Sequence, residues 1–490
     1  MSNLKGIVEL NAVELSKEIH NKKVSCREVM EAYLNQIDAV NPAVNAIVSL
    51  RDKDELLNEA KEKDNALAAG KDDGWMHGFP QAIKDLEDTK GIPSTYGSPI
   101  LKNYIPEKDS ILVKRMKDTG SIIIGKTNTP EWGFGSQTYN EVFGATGNPY
   151  DPAVTCGGSS GGAACSLALR MQAVADGSDF MGSLRNPAGY CNVYGYRPSW
   201  GRIPSPGADL YLQSCGVRGP MARKVSDLAL LLSTQSGYYA PAPSTLEDDA
   251  DLKALTPDNV DDRLKTDVSG RKIAWLGDWN GYLAMEDGIL DMCKNALGKL
   301  EAVGVSFDEI EPPADPEKFW NEVWLPVRHF GAIALQSHYE DSERRIMLKP
   351  EAIYEYEGLL KYSALDLSAS SIKRGQWYSA VMKVFETYDY IAVPTAQVFA
   401  FDKNIHWPKE VAGREMDTYH RWMEIVTHWT VSGCPVAAVP AGLNEKGQSM
   451  GIQIIGKPRS DYDLMQFAYA YEQVNDVVSQ YRPALLNNEY

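Results

Sequence analysis

The sequence predicts one large α/β domain built on a mixed β-sheet. Short apolar runs separated by clusters of Gly, Pro, Ser and Asn alternate with amphipathic helical patterns along most of the 490 residues. Strand-like runs at 272–277, 390–395, 436–443 and 450–456 lie among long helical patterns. Because no internal repeat is evident, a single architecture spanning 1–490 is favoured over a string of modules.

Three regions of different texture follow one another along the chain. Residues 1–74 form a predicted N-terminal helical layer, in which Ser25 and Glu28 make a capping box and the helix is expected to end before Pro42. Residues 75–220 are richest in loops between buried strands, and chemistry is expected there. Residues 221–490 complete the sheet and supply the substrate-pocket region. This region begins with a Pro-rich, acidic surface excursion at 238–265. It ends with a hairpin at 436–456 and a last helix at 460–474.

The composition narrows the class of partner. The chain has 49 Lys and Arg against 66 Asp and Glu, a formal charge of -17, and no basic stripe, so nucleic acid is not expected to bind. The first residues lack an apolar signal segment and the apolar run at 228–232 is too short to span a bilayer, which predicts a cytoplasmic protein without membrane contact. A homodimer is the candidate assembly.

Metal and disulfide chemistry are not expected. The seven cysteines are scattered and include no CxxC pair, so we expect reduced thiols that serve packing. The seven histidines include no HExxH motif. The sequence therefore predicts neither a metal site nor another cofactor.

One motif matches a phosphate-binding loop in letters only. Residues 120–127, GSIIIGKT, fit the pattern GxxxxGK[ST]. A phosphate-binding loop needs its variable positions free to turn their N–H groups inward, whereas three consecutive isoleucines are typical of a strand. We interpret this match as accidental.

A second motif offers a hydrolase interpretation. Residues 157–161, GGSSG, contain a formal GxSxG, which would make Ser159 a nucleophile on a strand-to-helix turn. That interpretation requires a strand directly before the motif, whereas the preceding segment 147–156 contains two prolines and is typical of a loop. Histidines follow later in the chain, but none lies in a recognisable signature.

A third interpretation uses two Gly-Ser loops together. GGSSGGAACSLAL at 157–169 is followed by GSDFMGSLRNPA at 177–188, with GFPQAIKD before them at 78–85 and GYRPSWGRIP after them at 195–204. This combination resembles the amidase signature family, and the resemblance extends from the N-terminal helices to the end of the chain. It implies a central twisted mixed β-sheet covered by helices on both faces.

The resemblance also implies three catalytic residues. Lys84 matches the family's catalytic lysine, Ser159 the relay serine whose own peptide bond is cis, and Ser183 the nucleophile. Ser160 is the rival to Ser159 as the relay. The family more often has two small residues before the nucleophile, where this chain has Met181-Gly182, so Met181 bears on the shape of the acyl site.

The chemistry of amide hydrolysis fits such a set. The leaving amine must be protonated and the tetrahedral oxyanion stabilised, and a lysine becomes a base near neutrality only when burial disfavours its charge. Strand alternation directs Asp85 away from Lys84. The backbone N–H groups of Phe180, Met181, Gly182 and Ser183 are the predicted oxyanion hole, because a turn entering a helix aims several amides at one point. Arg185 and Asp179 are predicted to brace this loop as a buried ion pair.

The substrate is the least determined part. The segment 127–149 is similar to the family loop that lines the pocket, which implies Trp132, Gly133 and Phe134 as substrate contacts. Trp324 and His329 are further candidates, although packing of this helix on the core is an equally open interpretation. We expect an aryl or aliphatic acylamide as substrate, with esters as secondary substrates. A glutaminase subunit of an amidotransferase complex and a non-catalytic binding protein remain alternatives.

Overall fold

The computed structural model describes residues 4–207 and 209–487, and its β-strands form three sheets. The strands are β1 (Ile47–Val48), β2 (Pro80–Lys84), β3 (Ile122–Thr127), β4 (Val174–Asp179), β5 (Tyr194–Arg197), β6 (Val217–Ala222), β7 (Lys272–Trp275), β8 (Ser306–Glu309), β9 (Tyr390–Pro394), β10 (Glu410–Val411), β11 (Arg414–Glu415), β12 (Val436–Leu443) and β13 (Ser449–Ile455).

Helices surround these sheets. The α-helices are α1 (Leu4–Glu9), α2 (Ala12–His20), α3 (Cys26–Val44), α4 (Lys53–Ala68), α5 (Ile111–Asp118), α6 (Gly161–Ala168), α7 (Arg185–Cys191), α8 (Val225–Gln235), α9 (Ala250–Lys253), α10 (Val260–Leu264), α11 (Ile289–Gly298), α12 (Pro316–Phe319), α13 (Leu325–Phe330), α14 (Gln336–Tyr339), α15 (Ser342–Arg345), α16 (Pro350–Leu359), α17 (Ala364–Val384), α18 (Thr427–Ser432), α19 (Asp461–Val474) and α20 (Val477–Gln480). Single turns of 3₁₀-helix occur between them, and Trp320–Trp324 is a π-helical turn.

The largest sheet has eight strands in the order β4-β6-β5-β12-β13-β9-β7-β8. Strand β7 runs parallel to both β8 and β9, and the other neighbours are antiparallel. A smaller sheet has the order β1-β3-β2, with β2 parallel to β3, and β10 pairs with β11 alone. The predicted single α/β domain with a large mixed sheet flanked by helices is confirmed.

Polar side chains join the small sheet to the large one at β2 and β4. The Asp176 carboxylate accepts the backbone N–H of Lys84, with both oxygens at 3.2 Å. The Gln172 side-chain oxygen accepts the backbone N–H of Ala82 at 3.0 Å. Because these acceptors are buried and directional, they hold the end of β2 in one place relative to β4.

Several local predictions are confirmed and one is wrong. The Ser25–Glu28 capping box forms, and the three isoleucines of the GSIIIGKT motif lie in β3, which excludes a phosphate-binding loop there. The helix from Ser25 does not stop before Pro42, however, but continues to Val44 and ends at a left-handed Asn45. Pro42 leaves one backbone hydrogen bond of the helix unmade, and only two residues, Ala43 and Val44, follow it before the helix ends.

Disulfide bonds, metal-ligand clusters and membrane-spanning helices are all missing from the described residues. All seven cysteines are free and buried. Within the same ranges, no cluster of three or more His, Cys, Asp or Glu residues is arranged to hold a metal ion. No helix of residues 4–207 and 209–487 combines the length and the apolar character that crossing a membrane requires.

The glycines of the first Gly-Ser loop serve close packing. Gly157 has a positive φ of 76°, as expected for a turn glycine. Gly162 lies in α6, where a Cβ would meet the backbone of Asn128 and would stand 2.7 Å from the carbonyl oxygen of Ala46. The absence of a side chain at Gly162 therefore lets α6 rest directly on the small sheet, which places the preceding serines.

We expect Gly162→Ala to destabilise the protein by about 1–3 kcal/mol, because the backbone it meets cannot move away without disturbing β1 and β3. Gly375→Ala is the matched control, since Gly375 is exposed within α17 and its added Cβ meets nothing within 4 Å. That control should gain about 0.5–1 kcal/mol from helix propensity. Denaturant unfolding of both variants measures the two effects, and an unaltered midpoint for Gly162→Ala would contradict the packing argument.

Candidate active site

Lys84 ends β2 as a fully buried side chain surrounded by hydroxyl groups. Its Nζ donates to Ser159 Oγ at 2.8 Å, to Ser160 Oγ at 2.8 Å and to Ser178 Oγ at 2.9 Å. Across the described parts of the chain, no carboxylate forms an ion pair with this ammonium group. Lys84 is therefore held in a polar but uncharged shell.

Burial is the main influence on the charge of Lys84. Removal from water lowers the pKa of Lys84 to about 7, although the nearby carboxyl groups of Asp176 and Asp179 act in the opposite direction. Burial likewise raises the pKa of Asp176 to about 7, and the neighbouring Glu87 adds to this rise. At neutral pH a substantial fraction of the lysine is thus the free amine, which can accept a proton.

Ser159 and Ser160 lie in the loop that precedes α6. The peptide bond between Gly158 and Ser159 is cis. The Ser160 N–H donates to the carbonyl oxygen of Ser183 at 3.1 Å, and the Ser160 hydroxyl is 3.3 Å from the carbonyl oxygen of Ser178. The segment before this loop contains isolated bridges at Gly147, Val154 and Thr155 rather than a strand, so the geometry that the GxSxG interpretation requires is absent from this described segment.

Ser183 lies in the turn between β4 and α7, and Asp179 organises that turn. The Asp179 carboxylate accepts the backbone N–H groups of Gly182 and Leu184 at 3.0 and 3.1 Å. It also accepts Arg185 Nε and Nη2 at 2.9 Å each and Arg197 Nη1 at 3.0 Å. Burial alone would raise the pKa of Asp179, but the two guanidinium groups hold it well below its usual range. The carboxylate is therefore charged and fixes the turn.

The predicted oxyanion hole needs one correction. The N–H of Gly182 is already committed to Asp179, so it points into the loop and not toward a substrate. Gly182 has a φ of 81° and packs against Val426, which shows why a glycine stands there. In the described structure the N–H groups of Met181 and Ser183 have no such protein acceptor. Gly182 is accordingly removed from the predicted set, while Phe180, Met181 and Ser183 stay in it.

The predicted substrate contacts separate into two groups. A Cβ on Gly133 would stand 3.6 Å from Ser159 Oγ, so this glycine borders Ser159. Phe134 packs against Arg328, and Trp132 stacks between Tyr96 and His338, with ring centroids 5.5 and 5.1 Å away. The three predicted contacts thus come from one loop, of which Gly133 lies next to Ser159.

The other two candidates lie farther along the chain. Trp324 is fully buried with its ring centroid 6.1 Å from that of Phe180. His329 is also buried, and its Nδ1 lies 2.9 Å from Glu355 Oε2 and 3.2 Å from the Glu355 carbonyl oxygen. A direct substrate contact is not favoured for His329, because its ring is engaged by Glu355.

A cavity of about 440 Å³ opens beside the nucleophile loop, and Phe180 forms part of its wall. Its other walls come largely from two segments that were not predicted to line a pocket, 200–218 and 331–334. Ser178 was also missed, although alternation along β4 puts Asp176 and Ser178 on one face and could have indicated it. The lining segments carry no such local pattern, because distant parts of the chain assemble the cavity.

The arrangement of loops, lysine and serines agrees with the comparisons with known proteins. The family model described as Amidase matches residues 28–465. An acylamidase of Rhodococcus erythropolis is 29% identical over 470 residues, which cover 95% of this chain and 95% of the relative. The A subunit of the glutamyl-tRNA(Gln) amidotransferase of Thermosynechococcus vestitus is 31% identical over 486 residues, with coverage of 94% and 97%.

The solved structures agree with these relatives. A bacterial aryl acylamidase described as an amidase signature enzyme superposes with a TM-score of 0.89 at 26% identity, covering 98% of this chain and 99% of its own. The A subunit of the glutamyl-tRNA(Gln) amidotransferase of Thermotoga maritima gives a TM-score of 0.73 at 27% identity, with 96% of both chains covered. With two serine loops around a buried lysine and a family match over most of its length, this chain belongs to the amidase signature family.

Proposed function

We propose that the protein hydrolyses an aryl or aliphatic acylamide to the carboxylic acid and an amine or ammonia, through an acyl-enzyme on Ser183. The observation that carries the proposal is Lys84, whose buried Nζ meets only hydroxyl and carbonyl oxygens between the two serine loops. A lysine that served structure alone would be expected to pair with a carboxylate at such depth. A neutral amine among hydroxyls is suited to move protons.

In the proposed reaction Lys84 acts first as a base. The neutral amine takes the proton of Ser159, Ser159 takes the proton of Ser183, and Ser183 Oγ forms a bond to the amide carbonyl carbon. The same path then returns the proton to the amide nitrogen, which leaves as the C–N bond breaks. A water molecule repeats the sequence on the ester, so that the acid departs and Ser183 regains its proton.

The negative oxygen of the tetrahedral intermediate needs donors that are already in place. The turn from Phe180 to Ser183 supplies them, since the amides of Met181 and Ser183 have no described protein acceptor. Asp179 keeps this turn rigid from behind by taking the N–H groups of Gly182 and Leu184. The donors therefore need little reorganisation when the charge develops.

The cavity beside Phe180 supports an acylamide with an apolar group. Its volume of about 440 Å³ suits a small ring or short chain, and Trp200, Ile203 and Val217 contribute apolar surface. Arg218, at its edge, is paired with Glu87 at 2.6 Å. Free glutamine, the substrate class of the rival interpretation, carries a carboxylate and an ammonium group, and Arg218, the cation among the lining residues, is already paired with Glu87. Because the chain is also similar to amidotransferase A subunits, the glutaminase hypothesis has to be tested as well.

Reaction with an aryl fluorophosphonate should give a single covalent adduct on Ser183, located by peptide mass mapping, because only the nucleophile has the relay behind it. Ser183→Ala should abolish the adduct and lower amide turnover by about 10⁴-fold or more. An adduct on Ser159 would instead favour the hydrolase interpretation. Absence of any adduct would favour the non-catalytic binding protein.

A substrate panel on the same preparation separates the two enzyme hypotheses. We expect release of aniline from acyl anilides by the purified chain alone. Turnover of glutamine but not of anilides, and only with further subunits present, would favour the glutaminase.

Ser159 and Ser160 provide a matched pair for testing the relay. Both hydroxyls lie 2.8 Å from Lys84 Nζ, but only that of Ser160 is also directed at the Ser178 carbonyl oxygen. Ser159→Ala should therefore lower kcat by about 10²- to 10⁴-fold, whereas Ser160→Ala should have a much smaller effect. Steady-state anilide hydrolysis measures both, and the reverse order would transfer the relay to Ser160.

The pH dependence of kcat/KM should follow the free amine of Lys84. Because the base must be unprotonated and burial lowers the pKa of Lys84 to about 7, activity should fall as the pH drops below about 7. Asp176→Asn should move this midpoint to lower pH, since it removes a negative charge that favours the protonated ammonium. A pH profile flat from pH 5 to pH 9, about two units to either side, would contradict the role of Lys84.

A further inference from the structure

Arg328 is a buried cation whose position is fixed by two neighbours. Its side chain lies in α13, and its Nε donates to Glu355 Oε1 at 2.9 Å. Its Nη2 donates to the hydroxyl of Tyr419 at 3.0 Å, and Tyr419 in turn donates to Glu355. Glu355 is fully buried, so this carboxylate and phenol hold the planar guanidinium in one orientation.

The guanidinium contacts two rings that come from two different loops. Its central carbon lies 4.7 Å from the ring centroid of Phe134 and 5.0 Å from that of Phe180. Phe134 follows Gly133, which borders Ser159, whereas Phe180 begins the turn that carries Ser183. Cation–π contacts inside a protein are worth more than at its surface, because water does not compete for the cation.

We propose that Arg328 is the positioning residue of the nucleophile loop: it holds Phe134 and Phe180 together and thereby sets the turn that precedes Ser183. This inference rests on the proposed function, because it assigns Arg328 a part in acylation of Ser183. In this scheme Arg328 contacts neither Ser183 Oγ nor the amide carbonyl carbon, and it acts through the rings of Phe134 and Phe180.

The neighbours of Phe180 explain how a shift would spread. The ring lies against Trp324 on one side, and a Cβ on Gly331 would stand 3.4 Å from it on another. The same ring walls the cavity in which we place the apolar group of the substrate. Loosening the ring therefore changes the first amide of the oxyanion turn and the fit of the acyl group together.

Because Arg328 and Glu355 form a buried ion pair, the test should be a substitution that keeps the positive charge. Burial by itself raises the pKa of Glu355, but Arg328 holds that pKa well below its usual range, so the carboxylate is charged and complete removal of the arginine would strand it. Arg328→Lys keeps the positive charge while losing the planar fork that stacks on the rings. This substitution therefore weakens the clamp, which is the contact of Arg328 with the rings of Phe134 and Phe180, while it disturbs the fold least.

A double-mutant cycle with Phe180→Leu tests the proposal. We expect Arg328→Lys to slow fluorophosphonate labelling of Ser183, and kcat for anilides, by about tenfold in the wild-type background. In the Phe180→Leu background the same substitution should cost less than about twofold, because the ring it acts through is gone. Equal effects in the two backgrounds, or no effect in either, would overturn the proposal.

Arg421→Lys is the matched control. Arg421 is similarly buried and lies 4.6 Å from the ring centroid of Trp320, but it pairs with Glu424, and none of its described contacts is with Phe134 or Phe180. Its substitution should alter the melting temperature as much as Arg328→Lys does, with the labelling rate within about twofold of wild type. A labelling rate that merely follows the melting temperature across both variants would assign Arg328 a structural role only.

Two further outcomes are distinguishable. If Arg328→Lys fails to fold, Phe134→Leu and Phe180→Leu each remove one side of the clamp and should slow labelling about tenfold, and unchanged rates would overturn the inference. Wild-type protein that acquires no adduct contradicts the proposed function together with this inference. Normal wild-type labelling without coupling between Arg328 and Phe180 contradicts this inference alone.

Discussion

The nucleophile turn depends on the Asp179 carboxylate more than on any other group. Two arginines and two backbone amides converge on it, all of them buried. Arg185 also donates hydrogen bonds to the Val426 carbonyl oxygen and to Gln453 on β13. Arg197 also donates to further backbone carbonyl oxygens. Because a buried carboxylate without its partners would be very costly, the turn cannot relax without disrupting the centre of the large sheet. Such a foundation explains how a tight turn with several uncommitted amides keeps one shape.

The position of Lys84 follows from a different constraint. The lysine belongs to the small sheet, whereas Ser178 belongs to strand β4 of the large sheet, and Ser159 and Ser160 belong to the loop before α6. The site therefore exists only where the two sheets are held together. Asp176 makes that connection with its carboxylate directed at the backbone of Lys84 and not at its Nζ. The lysine thus receives structural support from a carboxylate without the ion pair that would keep it protonated. Burial lowers the pKa of Lys84, and the negative charges of Asp176 and Asp179 oppose that fall only in part.

The motifs and the family resemblance named Lys84, Ser159 and Ser183, and the structure brings Lys84 and Ser159 together, while their catalytic roles stay predictions. Lys84, Ser159 and Ser183 lie in short segments whose glycines and small residues are demanded by local close packing, as Gly162 illustrates. The helix boundary at Pro42 was misjudged because a proline need not end a helix at once, and Ala43 and Val44 keep helical geometry after it. Gly182 was misassigned because a run of turn amides does not reveal which of them a neighbouring carboxylate will take. The cavity walls could not be predicted, since they meet only through tertiary folding.

Phe180 connects the turn before Ser183 to the wall of the cavity. Its backbone begins the oxyanion turn, its ring walls the cavity, and that ring rests on Arg328 and Trp324 from the later half of the chain. In the proposed reaction, a substitution in this contact set would change both the donors that meet the oxyanion and the space available to the acyl group. Differences in substrate among enzymes of this fold can therefore arise from the later half of the chain while the serines and the lysine stay unchanged. Met181 belongs to the same buried cluster as Trp324, so in the proposed reaction its size would act on acyl fit through packing and not on the nucleophile itself.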